Sequence, residues 1–484
     1  MRILLLTYEF TCAPFSGNGI LARSIAKALL KSGCTVAVVC CRPNAGSVSE
    51  SADNPITADE VGAESAARLQ VWCVELGESE PWRRLDRAAA VGTFGAGCAS
   101  RAPNISAFAP DVCLAIDWSA AAAWQVLKTA WPSPVRPPPL QYFNFRVYSA
   151  GTPSGSGDAA WYDTKEAEAL AVADGRLCLS ARDRDSLLAL MGRVASGPAS
   201  RDVGVLFPPL RDDVHRLATS ASPDPEIDPH LPAACRAAVR AGKRFLTCVV
   251  RLSAEKQPLF YGQLLHAMAR AGDIDSSDSV VPLLAGAAAE PEYAAQVREA
   301  VRSALGRVGV EDAPVGEGGA GSPVVLTGEG GAGSPVVLSG FLPPAALASI
   351  FRHTALNFHP CAYDAYGMTV VEAAAFGVPT LLQGGDAVGA AALLHADGCF
   401  QAALHTSRES SPDEAEAGGA RTSSADAAAS EVRRLLSCPA ELARVGAVAQ
   451  ERALAWDEGG FGLALLAELR KLTADASSAR AHTL

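Results

Sequence analysis

The stretch Asp364-Ala-Tyr-Gly-Met-Thr-Val-Val-Glu372 says most about how this chain folds. The apolar run Ala355–Phe358 precedes it and indicates a buried strand, and Met368–Phe376 has the spacing of a helix. Thr380–Leu382 indicates the next strand. Strand, glycine turn, helix and strand in this order are the repeating unit of a parallel α/β sheet.

The turn before that helix suits a phosphorylated ligand. Gly367 precedes the helix, so the backbone N–H groups of Gly367, Met368 and Thr369 can point at a phosphate, aided by the helix dipole. Glu372 lies early in the helix and could accept hydrogen bonds from a ribose, while Asp364 could meet sugar hydroxyls. The plainer alternative is that Glu372 only complements the helix dipole and that Asp364 is an ordinary loop residue.

A second candidate segment, Arg251-Leu-Ser-Ala-Glu-Lys256, follows the predicted strand Arg244–Val250. Ligands of doubly wound sheets bind at the carboxyl ends of strands, and Arg and Lys side chains there can hold a diphosphate. Taken alone, the segment would favour a solvated loop in which a cation pairs with Glu255.

The N-terminal end repeats the pattern more weakly. Residues 2–7 predict a strand, Gly17-Asn18-Gly19 a close turn and Val36–Cys40 a second strand, with Leu21, Ile25 and Leu29 on one face of the helix between them. The third glycine of the dinucleotide fingerprint is missing, and no acidic residue follows the second strand. This counts against NAD.

The complete pattern predicts an α/β protein with two Rossmann-like, doubly wound domains facing a central cleft. A Pro-rich, acidic stretch, Pro208 to Pro232, suits a linker between the two halves. We predict an N-terminal, acceptor-side domain at 1–215, a linker at 216–242, a nucleotide-sugar-binding domain at 243–450, and a helix and tail at 451–484 that could cross back to the first domain.

Composition limits the possible functions. Hydrophobic residues make up 49% of the 484 residues, enough for large cores, and the net charge of −11 disfavours a nucleic-acid surface. The thirteen cysteines are scattered and odd in number, which favours reduced thiols. No apolar run is long enough for a membrane span. We expect a protein of the cytosol or of the cytosolic face of a membrane.

A direct repeat lies within the second half: Gly316–Thr327 reads GEGGAGSPVVLT and Gly328–Ser339 reads GEGGAGSPVVLS. A unit of this length is too short to form its own core. We expect only one copy of Pro-Val-Val-Leu to be a sheet strand, and the second copy is favoured because it leads directly into Gly340-Phe341.

Taken in order, these segments resemble glycosyltransferase family 4, the glycosyl transferases group 1, of the GT-B fold. That family shows glycines near the N-terminus, then V-G-R-L-x-x-E-K-G, then P-S-x-x-E-x-F-G-x-x-x-x-E-A-x-A-x-G-x-P-V. Here the last pattern reads HPCAYDAYGMTVVEAAAFGVPT. The resemblance covers nearly the whole chain and is most specific in the C-terminal half. Pro110 to Trp118, PDVCLAIDW, adds support from the N-terminal half.

The resemblance implies a retaining hexosyltransferase with no bound metal or other cofactor and with a UDP- or GDP-sugar as donor substrate. Arg251 and Lys256 would hold the diphosphate, Glu372 the ribose and Asp364 the sugar. The remaining donor-binding residues that it implies are Gly17, Gly19, Phe341, Leu342, Gly367, Met368 and Thr369. The catalytic candidates are Arg251, Lys256 and Asp364, with Asn144 and Asp117 on the N-terminal side.

This chain departs from the family pattern at three places. Asp364 is one methylene shorter than the usual Glu. The family often carries a His after an N-domain strand, whereas here the aligned segment Tyr142–Tyr148 has Asn144 or Arg146 at that place. The loop that begins Gln383-Gly-Gly lacks the Glu commonly found after the glycines.

Three functions therefore remain open. The leading one is a metal-independent glycosyltransferase whose acceptor is a saccharide, a lipid or a small molecule, bound through residues 72–100 and 142–165. The second is a catalytically degenerate protein that binds nucleotide-sugars or regulates, supported by Asp364 and the absent His. The third is a glycoside phosphorylase or a nucleotide-sugar epimerase, which the block from Asp364 to Glu372 disfavours.

Overall fold

A computed structural model of the protein describes residues 1–10, 17–42, 56–76, 87–152, 156–194, 202–221, 228–231, 233–273, 280–288, 290–304, 311–312, 324–327, 336–339, 342–405 and 424–481. The chain forms two compact units. Unit 1 comprises Met1–Pro209 and Trp456–Leu484, and unit 2 comprises Leu210–Ala455.

Unit 1 is built on a parallel sheet. Its strands are β1 (Arg2–Leu6), β2 (Thr35–Arg42), β3 (Leu69–Glu75), β4 (Val112–Ile116), β5 (Leu140–Asn144), β6 (Gly175–Cys178) and β7 (Gly204–Val205). Its helices up to Val194 are α1 (Gly17–Lys31), α2 (Ala58–Val61), α3 (Ala63–Ala66), α4 (Arg87–Ser100), α5 (Ala102–Phe108), α6 (Asp117–Thr129), α7 (Tyr148–Gly151), α8 (Gly157–Val172) and α9 (Ala181–Val194). In the described part of the chain the strand order is β3-β2-β1-β4-β5-β6-β7, with every pair parallel.

The order of strands in unit 1 follows from which segments are apolar. The central strands β1, β4 and β5 are buried almost throughout, as expected for a parallel sheet covered on both faces. Leu21, Ile25 and Leu29 of α1 face this core, which confirms the predicted helical stripe. Because the strand order reverses between β1 and β4, the loops after these two strands diverge at the edge where such folds bind ligands.

Unit 2 repeats the architecture. Its strands are β8 (Arg244–Val249), β9 (Val280–Gly286), β10 (Glu311–Asp312), β11 (Val324–Thr327), β12 (Val336–Ser339), β13 (Thr354–Phe358), β14 (Thr380–Gln383) and β15 (Phe400–Ala402). Its helices are α10 (Asp212–Thr219), α11 (Ala233–Arg240), α12 (Pro258–Arg270), α13 (Pro291–Ala304), α14 (Pro344–Arg352), α15 (Met368–Ala375), α16 (Ala390–Gly398), α17 (Ser424–Leu436) and α18 (Pro439–Ala455). In the described residues the strand order is β10-β11-β12-β9-β8-β13-β14-β15.

The expectation that only one copy of the repeat is a sheet strand is wrong. The second copy forms β12, parallel to β9, as predicted, but the first copy forms β11, antiparallel to β12. Each copy carries the same Val-Val-Leu segment, whose two valines are β-branched, so the copies can pair with each other and extend the sheet beyond β12, where β10 adds a further short strand.

The observed division of the chain differs from the predicted linker at 216–242. The chain passes into unit 2 between Pro209 and Leu210, and α10 and α11 belong to unit 2. Tertiary contacts explain this: Val214 is buried, Ser349 Oγ donates to Asp228 Oδ2 at 2.6 Å, and Arg352 donates to the backbone oxygen of Leu217. The acidic, Pro-containing composition of this segment indicated a linker and gave no sign of these contacts.

The last helix, α19 (Glu458–Ala481), belongs to unit 1 and packs along α1. Trp456 Nε1 donates to the backbone oxygen of Phe207 at 3.0 Å, which fixes the start of this C-terminal segment within unit 1. Over the described ranges, no helix has the length and hydropathy required to cross a bilayer.

Candidate functional site

Two loops meet at the carboxyl edge of the unit 2 sheet because β8 and β13 are parallel neighbours. The loop after β8 contains a 3-10 turn at Ala254–Lys256, and the loop after β13 runs from His359 into Asp364. Gln257 Oε1 accepts a 2.6 Å hydrogen bond from the Ala362 backbone N–H and ties the loops together. The two segments that the sequence nominated separately therefore form one structure.

Asp364 is the centre of this structure. Lys256 Nζ donates to its Oδ2 at 2.7 Å, and His359 Nε2 lies 3.2 Å from the same oxygen. We call Lys256, His359 and Asp364 the Asp364 cluster. The backbone of Asp364 is fixed by a third loop, since its N–H donates to Ala387 and its carbonyl accepts from Gly389.

The charges of the Asp364 cluster stabilise one another. Burial acts to raise the pKa of the Asp364 carboxyl, but Lys256 and His359 outweigh it and hold that pKa well below its usual range. Burial acts to lower the pKa of His359, yet Cys361 and Asp364 raise it to about 9. The pKa of Lys256 is raised by Asp364 against the effect of burial. At neutral pH the cluster therefore contains two cations and one anion.

Arg251 is half-buried and precedes Lys256 in the same loop, but its ion-pair partner is Glu255 and not Asp364. Its guanidinium lies 3.2 Å from Glu255 Oε1, and Lys256 Nζ is 3.8 Å from the same oxygen. The ion pair with Glu255 that we considered as the plain alternative is thus present. It is partly exposed, and pairs of this kind contribute little, so Arg251 can exchange Glu255 for a bound phosphate at small cost.

Helix α15 begins as its sequence requires. Gly367 has φ +87°, and a Cβ added there would lie 3.1 Å from Val388 Cγ1, so the position needs glycine. The helix starts at Met368, and the N–H groups of Met368 and Thr369 belong to its first turn, ahead of the intrahelical hydrogen bonds. That these groups bind an anion stays a prediction.

Glu372 is buried on α15, next to a residue that the sequence did not suggest. Arg211 Nη1 lies 3.5 Å from Glu372 Oε1, while Arg211 also binds Asp213 at 2.5 Å. Burial raises the pKa of Glu372, and Arg211 opposes this rise. The carboxylate is held loosely, since its contact with Arg211 is at the limit of hydrogen-bond distance. Leu342 is half-buried against the core of unit 2, and Phe341 lies outside the described residues.

In unit 1 a second polar cluster lies at the carboxyl edge of the sheet. Asp117 follows β4 with φ +59°, and its Oδ1 accepts a 2.7 Å hydrogen bond from the Phe145 N–H. Its Oδ2 accepts from Asn18 Nδ2 at 2.7 Å and from Tyr148 Oη at 3.1 Å. We call Asn18, Asp117 and Tyr148 the Asp117 cluster. Burial raises the pKa of Asp117 to about 7, against these hydrogen bonds.

The turn that carries Tyr148 is held by hydrogen bonds to Glu166 of α8. Glu166 is fully buried, and its carboxylate accepts from the Tyr148 N–H at 2.5 Å and from Ser149 Oγ at 2.6 Å. Burial raises the pKa of Glu166 to about 7. Two carboxyl groups that titrate near neutrality are thus joined through Tyr148, one at its hydroxyl and one at its backbone.

The other N-terminal candidates occupy different environments. Asn144 is completely buried, and its Nδ2 donates to Tyr142 Oη and to the Arg146 carbonyl, both at 2.9 Å. It therefore supports the turn after β5. Gly17 is exposed and Gly19 buried in the first turn of α1, on either side of Asn18, which reaches Asp117.

The sequence did not predict the contacts made by Asn18, Tyr148, Glu166, Arg211 and His359. Asn18 and His359 each stood inside a quoted motif, and their position directly before a helix or after a strand was the available signal. Arg211, Tyr148 and Glu166 act through turns and helix packing that no local pattern in the sequence specifies.

His359, Cys361 and Asp364 have ligand atoms within 4.8 Å of one another, a spacing that a metal ion could use. The charges nearby argue against a metal here. The ammonium of Lys256 is 2.7 Å from Asp364 Oδ2 and repels a second cation beside this carboxylate, and the raised pKa of His359 favours its protonated form, which cannot ligate. We assign no metal to these residues.

Two Rossmann-like units in one chain define the GT-B fold. A sucrose-phosphate synthase from Thermosynechococcus elongatus matches with TM-score 0.64 and 15% identity, over 98% of this chain and 99% of its own. A structure from E. coli described as trehalose-6-phosphate bound with UDP-2-fluoro glucose matches with TM-score 0.65 and 14% identity, over 97% and 99%. An α,α-trehalose 6-phosphate synthase from Burkholderia multivorans matches with TM-score 0.64 and 16% identity, over 98% and 99%.

These identities establish the fold, which the chain shares along its length. No protein-family model matches the chain, and no curated protein is significantly similar to it in sequence.

Proposed function

We propose that this protein is a retaining glycosyltransferase of the family 4 type that transfers a hexosyl unit from a nucleotide-sugar to an acceptor hydroxyl. The observation that carries the proposal is the 2.7 Å contact between Lys256 and Asp364, which joins both nominated segments beside the N-terminus of α15. A cation, a carboxylate and free helix N–H groups at one sheet edge suit a sugar joined to a diphosphate.

The donor roles follow from chemistry. Lys256 and Arg251 would stabilise the diphosphate, whose charge increases as it leaves, and the N–H groups from Gly367 to Thr369 would add hydrogen bonds. Glu372 would accept from the ribose, and Asp364 would accept from a sugar hydroxyl. Leu342, with Phe341, would border the base.

The cations make a metal unnecessary for charge stabilisation in this proposal. The bond between the anomeric carbon and the diphosphate oxygen breaks with its electron pair remaining on the diphosphate. The acceptor oxygen then bonds to that carbon from the same face, and its proton passes to the departing phosphate oxygen. UDP is the favoured nucleotide, because one matched structure contains UDP-2-fluoro glucose and another, from Burkholderia xenovorans, is described as UDP-forming.

Asp117 is our candidate for orienting the acceptor. It lies at the sheet edge of unit 1, and its pKa near 7 allows it to hold or to release a proton at neutral pH. Asn144 is kept as a supporting residue, since its amide is engaged within the turn. The twelve cysteines in the described residues are all free thiols. Free thiols support the proposed cytosolic location, either in solution or at the cytosolic face of a membrane.

The decisive experiment measures nucleotide release from UDP-, GDP- and ADP-sugars, each with and without candidate saccharide, lipid and small-molecule acceptors. We expect acceptor-dependent release of one nucleotide, unaffected by EDTA, with retention of anomeric configuration by NMR. Release that requires a divalent metal would contradict the charge roles of Lys256 and Arg251.

A catalytically degenerate nucleotide-sugar-binding protein is the second candidate. It is favoured by one observation: the Asp364 carboxylate, already shorter than the usual Glu, is engaged by two cations before any ligand arrives. Tight nucleotide-sugar binding without release under any of these conditions would select this candidate over the transferase.

A further inference from the structure

The two carboxylate oxygens of Asp364 differ in their contacts. Both of its cationic neighbours, Lys256 and His359, contact Oδ2, at 2.7 Å and 3.2 Å. Within the described part of the chain, Oδ1 has no hydrogen-bond or ion-pair partner. The side chain is 11% exposed, so a ligand can reach that oxygen.

His359 is a buried residue whose charge is compensated by Asp364. It directly follows β13, and its side chain is 2% exposed. Within the residues that the structure describes, neither ring nitrogen meets the geometry of a hydrogen bond, so the 3.2 Å contact of Nε2 with Asp364 Oδ2 is an ion pair. An imidazole buried in this way is costly unless its charge is compensated. Asp364 supplies the compensation, because its Oδ2 lies 3.2 Å from His359 Nε2.

We propose that His359 is a positioning residue which, with Lys256, fixes Asp364 Oδ2 and leaves Oδ1 to accept a hydrogen bond from a hydroxyl of the donor's sugar. The inference rests on the proposed function and adds to it, because it predicts that His359 controls recognition of the sugar but not of the nucleotide. It also explains how a carboxylate one methylene short can serve: its reach is set by two cations instead of by chain length.

The test compares the affinity of each nucleoside diphosphate with that of its sugar conjugate. Isothermal titration calorimetry would use UDP with UDP-glucose, GDP with GDP-mannose, and ADP with ADP-glucose, continuing with the pair that the wild type binds. In His359→Asn we expect affinity for the sugar conjugate to fall about ten-fold or more, because Asp364 Oδ2 loses one of the two cations that hold it in place. Affinity for the free diphosphate should change by less than about two-fold.

A matched control is available at the other end of the same strand. His353 precedes β13 at its amino end, away from the Asp364 cluster, so His353→Asn should leave both affinities unchanged. His359→Gln keeps a neutral N–H donor and should lose less sugar affinity than His359→Ala. Thermal unfolding of each variant would establish that it is folded.

Coupling gives the strictest criterion. In an Asp364→Asn background, His359→Asn should cause less than about two-fold further loss, because the two residues act through one oxygen. An equal loss for diphosphate and sugar conjugate, an unchanged sugar affinity, or a full additional loss in the Asp364→Asn background would each overturn the role of His359. A wild type that binds none of the six ligands would instead overturn the proposed function.

Discussion

Asp364 and Asp117 show how the same residue type acquires opposite properties. Asp364 lies between Lys256 and His359, which keep its pKa low and its carboxylate ionised despite burial. Among the described residues, Asp117 has no cation in contact, only N–H and O–H donors, and burial raises its pKa to about 7. A fixed anion suits binding of a sugar, while a carboxyl that titrates near neutrality suits handling a proton.

Lys256→Ala should weaken nucleotide-sugar binding far more than it weakens the fold. The lysine is the cation nearest to Asp364, at 2.7 Å from Oδ2, and losing one charge-assisted hydrogen bond costs about 1.5–3 kcal/mol of binding. The loss of unfolding free energy should stay near 1 kcal/mol, since His359 still faces Asp364. Calorimetry and urea unfolding measure the two quantities, with Lys471→Ala, an exposed lysine of α19, as the control. Unchanged donor affinity would remove Lys256 from the site.

Tyr148→Phe should move the acidic limb of the pH–activity profile to higher pH. The Tyr148 hydroxyl donates to Asp117 Oδ2 at 3.1 Å, and this hydrogen bond lowers the pKa of a carboxyl that burial has raised to about 7. Without the hydroxyl the pKa rises further, so ionised Asp117 appears only at higher pH.

The measurement is the rate of nucleotide release against pH for the wild type and Tyr148→Phe, with Asp117→Asn as the reference. We expect the Asn variant to lose the acidic limb that belongs to Asp117. If Tyr148→Phe lowers the rate equally at every pH, Asp117 has no titrating role in turnover.

The sequence predicted Lys256, Asp364, Gly367 and Glu372 because each stands at a fixed offset from the end of a strand or the start of a helix. Residues that follow parallel strands lie at the same edge of the sheet, so their position can be predicted without knowledge of the tertiary packing. Arg211 reaches Glu372 only because α10 packs onto α15, which the acidic composition around it did not indicate. Side chains placed by packing between distant elements are therefore the ones that local pattern missed.

At the scale of elements, the twelve-residue repeat shows what a duplication does to an open sheet. β12 pairs in parallel with β9, and the first copy pairs antiparallel with β12 as β11. Identical Val-Val-Leu segments make good partners because β-branched side chains suit a pleated surface. The fold could therefore accept the insertion at its edge.

Deleting Gly316–Thr327 should leave the donor site intact. The remaining copy would lead into α14 as the second copy does now and would pair with β9. The deletion removes β11 and with it the sheet partner of the two-residue strand β10, so we expect Tm to fall by no more than about 4 °C, as about 1 kcal/mol shifts Tm by about 2–4 °C in a domain of this size. Differential scanning calorimetry measures it. Deleting Gly328–Ser339 instead yields the same chain except for Thr in place of Ser, so it serves as the matched control. Loss of nucleotide binding in both deletions would contradict this account.

Glu166 makes helix α8 responsible for part of the pH dependence of stability. Its pKa in the folded protein is about 7, above its ordinary value of 4.5, so the folded state binds the proton more tightly. The associated stability is present in full below about pH 4.5 and is lost as pH rises through about 7. Glu166→Gln retains an oxygen to accept from the Tyr148 N–H but cannot titrate.

We therefore expect the free energy of unfolding of the wild type to fall more between pH 5 and pH 7.5 than that of Glu166→Gln, in urea titrations at both pH values. Asp117 contributes a decrease of the same sign in both proteins. Glu168→Gln, exposed on the same helix, should behave as the wild type. A Glu166→Gln protein with the full pH dependence would show that Glu166 ionises normally in the folded state.

At the scale of the whole molecule, unit 1 is assembled from both ends of the sequence. Helix α19 covers α1, the helix that begins at Gly17-Asn18-Gly19, and buries Phe461, Leu465, Leu466 and Leu469. Its first residue, Glu458, is completely buried and contacts Lys27 Nζ at 2.9 Å and Lys31 Nζ at 3.5 Å. A domain containing Asp117 thus depends on a segment that follows unit 2 in the chain.

Glu458→Ala should destabilise unit 1 while leaving nucleotide binding by unit 2 unchanged. Removing one partner of a buried ion pair leaves a buried charge without compensation and typically costs about 3–5 kcal/mol. Lys31 is partly exposed and can turn to water, but Lys27 is 8% exposed and remains in the interior beside α19.

Calorimetric unfolding should show a lowered transition in Glu458→Ala and not in Glu468→Ala, an exposed glutamate of the same helix. Diphosphate affinity should stay within about two-fold in both variants, because its proposed ligands Arg251 and Lys256 belong to unit 2. A variant that keeps its stability would show that the apolar face of α19 alone holds the helix on α1; one that loses diphosphate affinity would show that the two units do not act separately in binding.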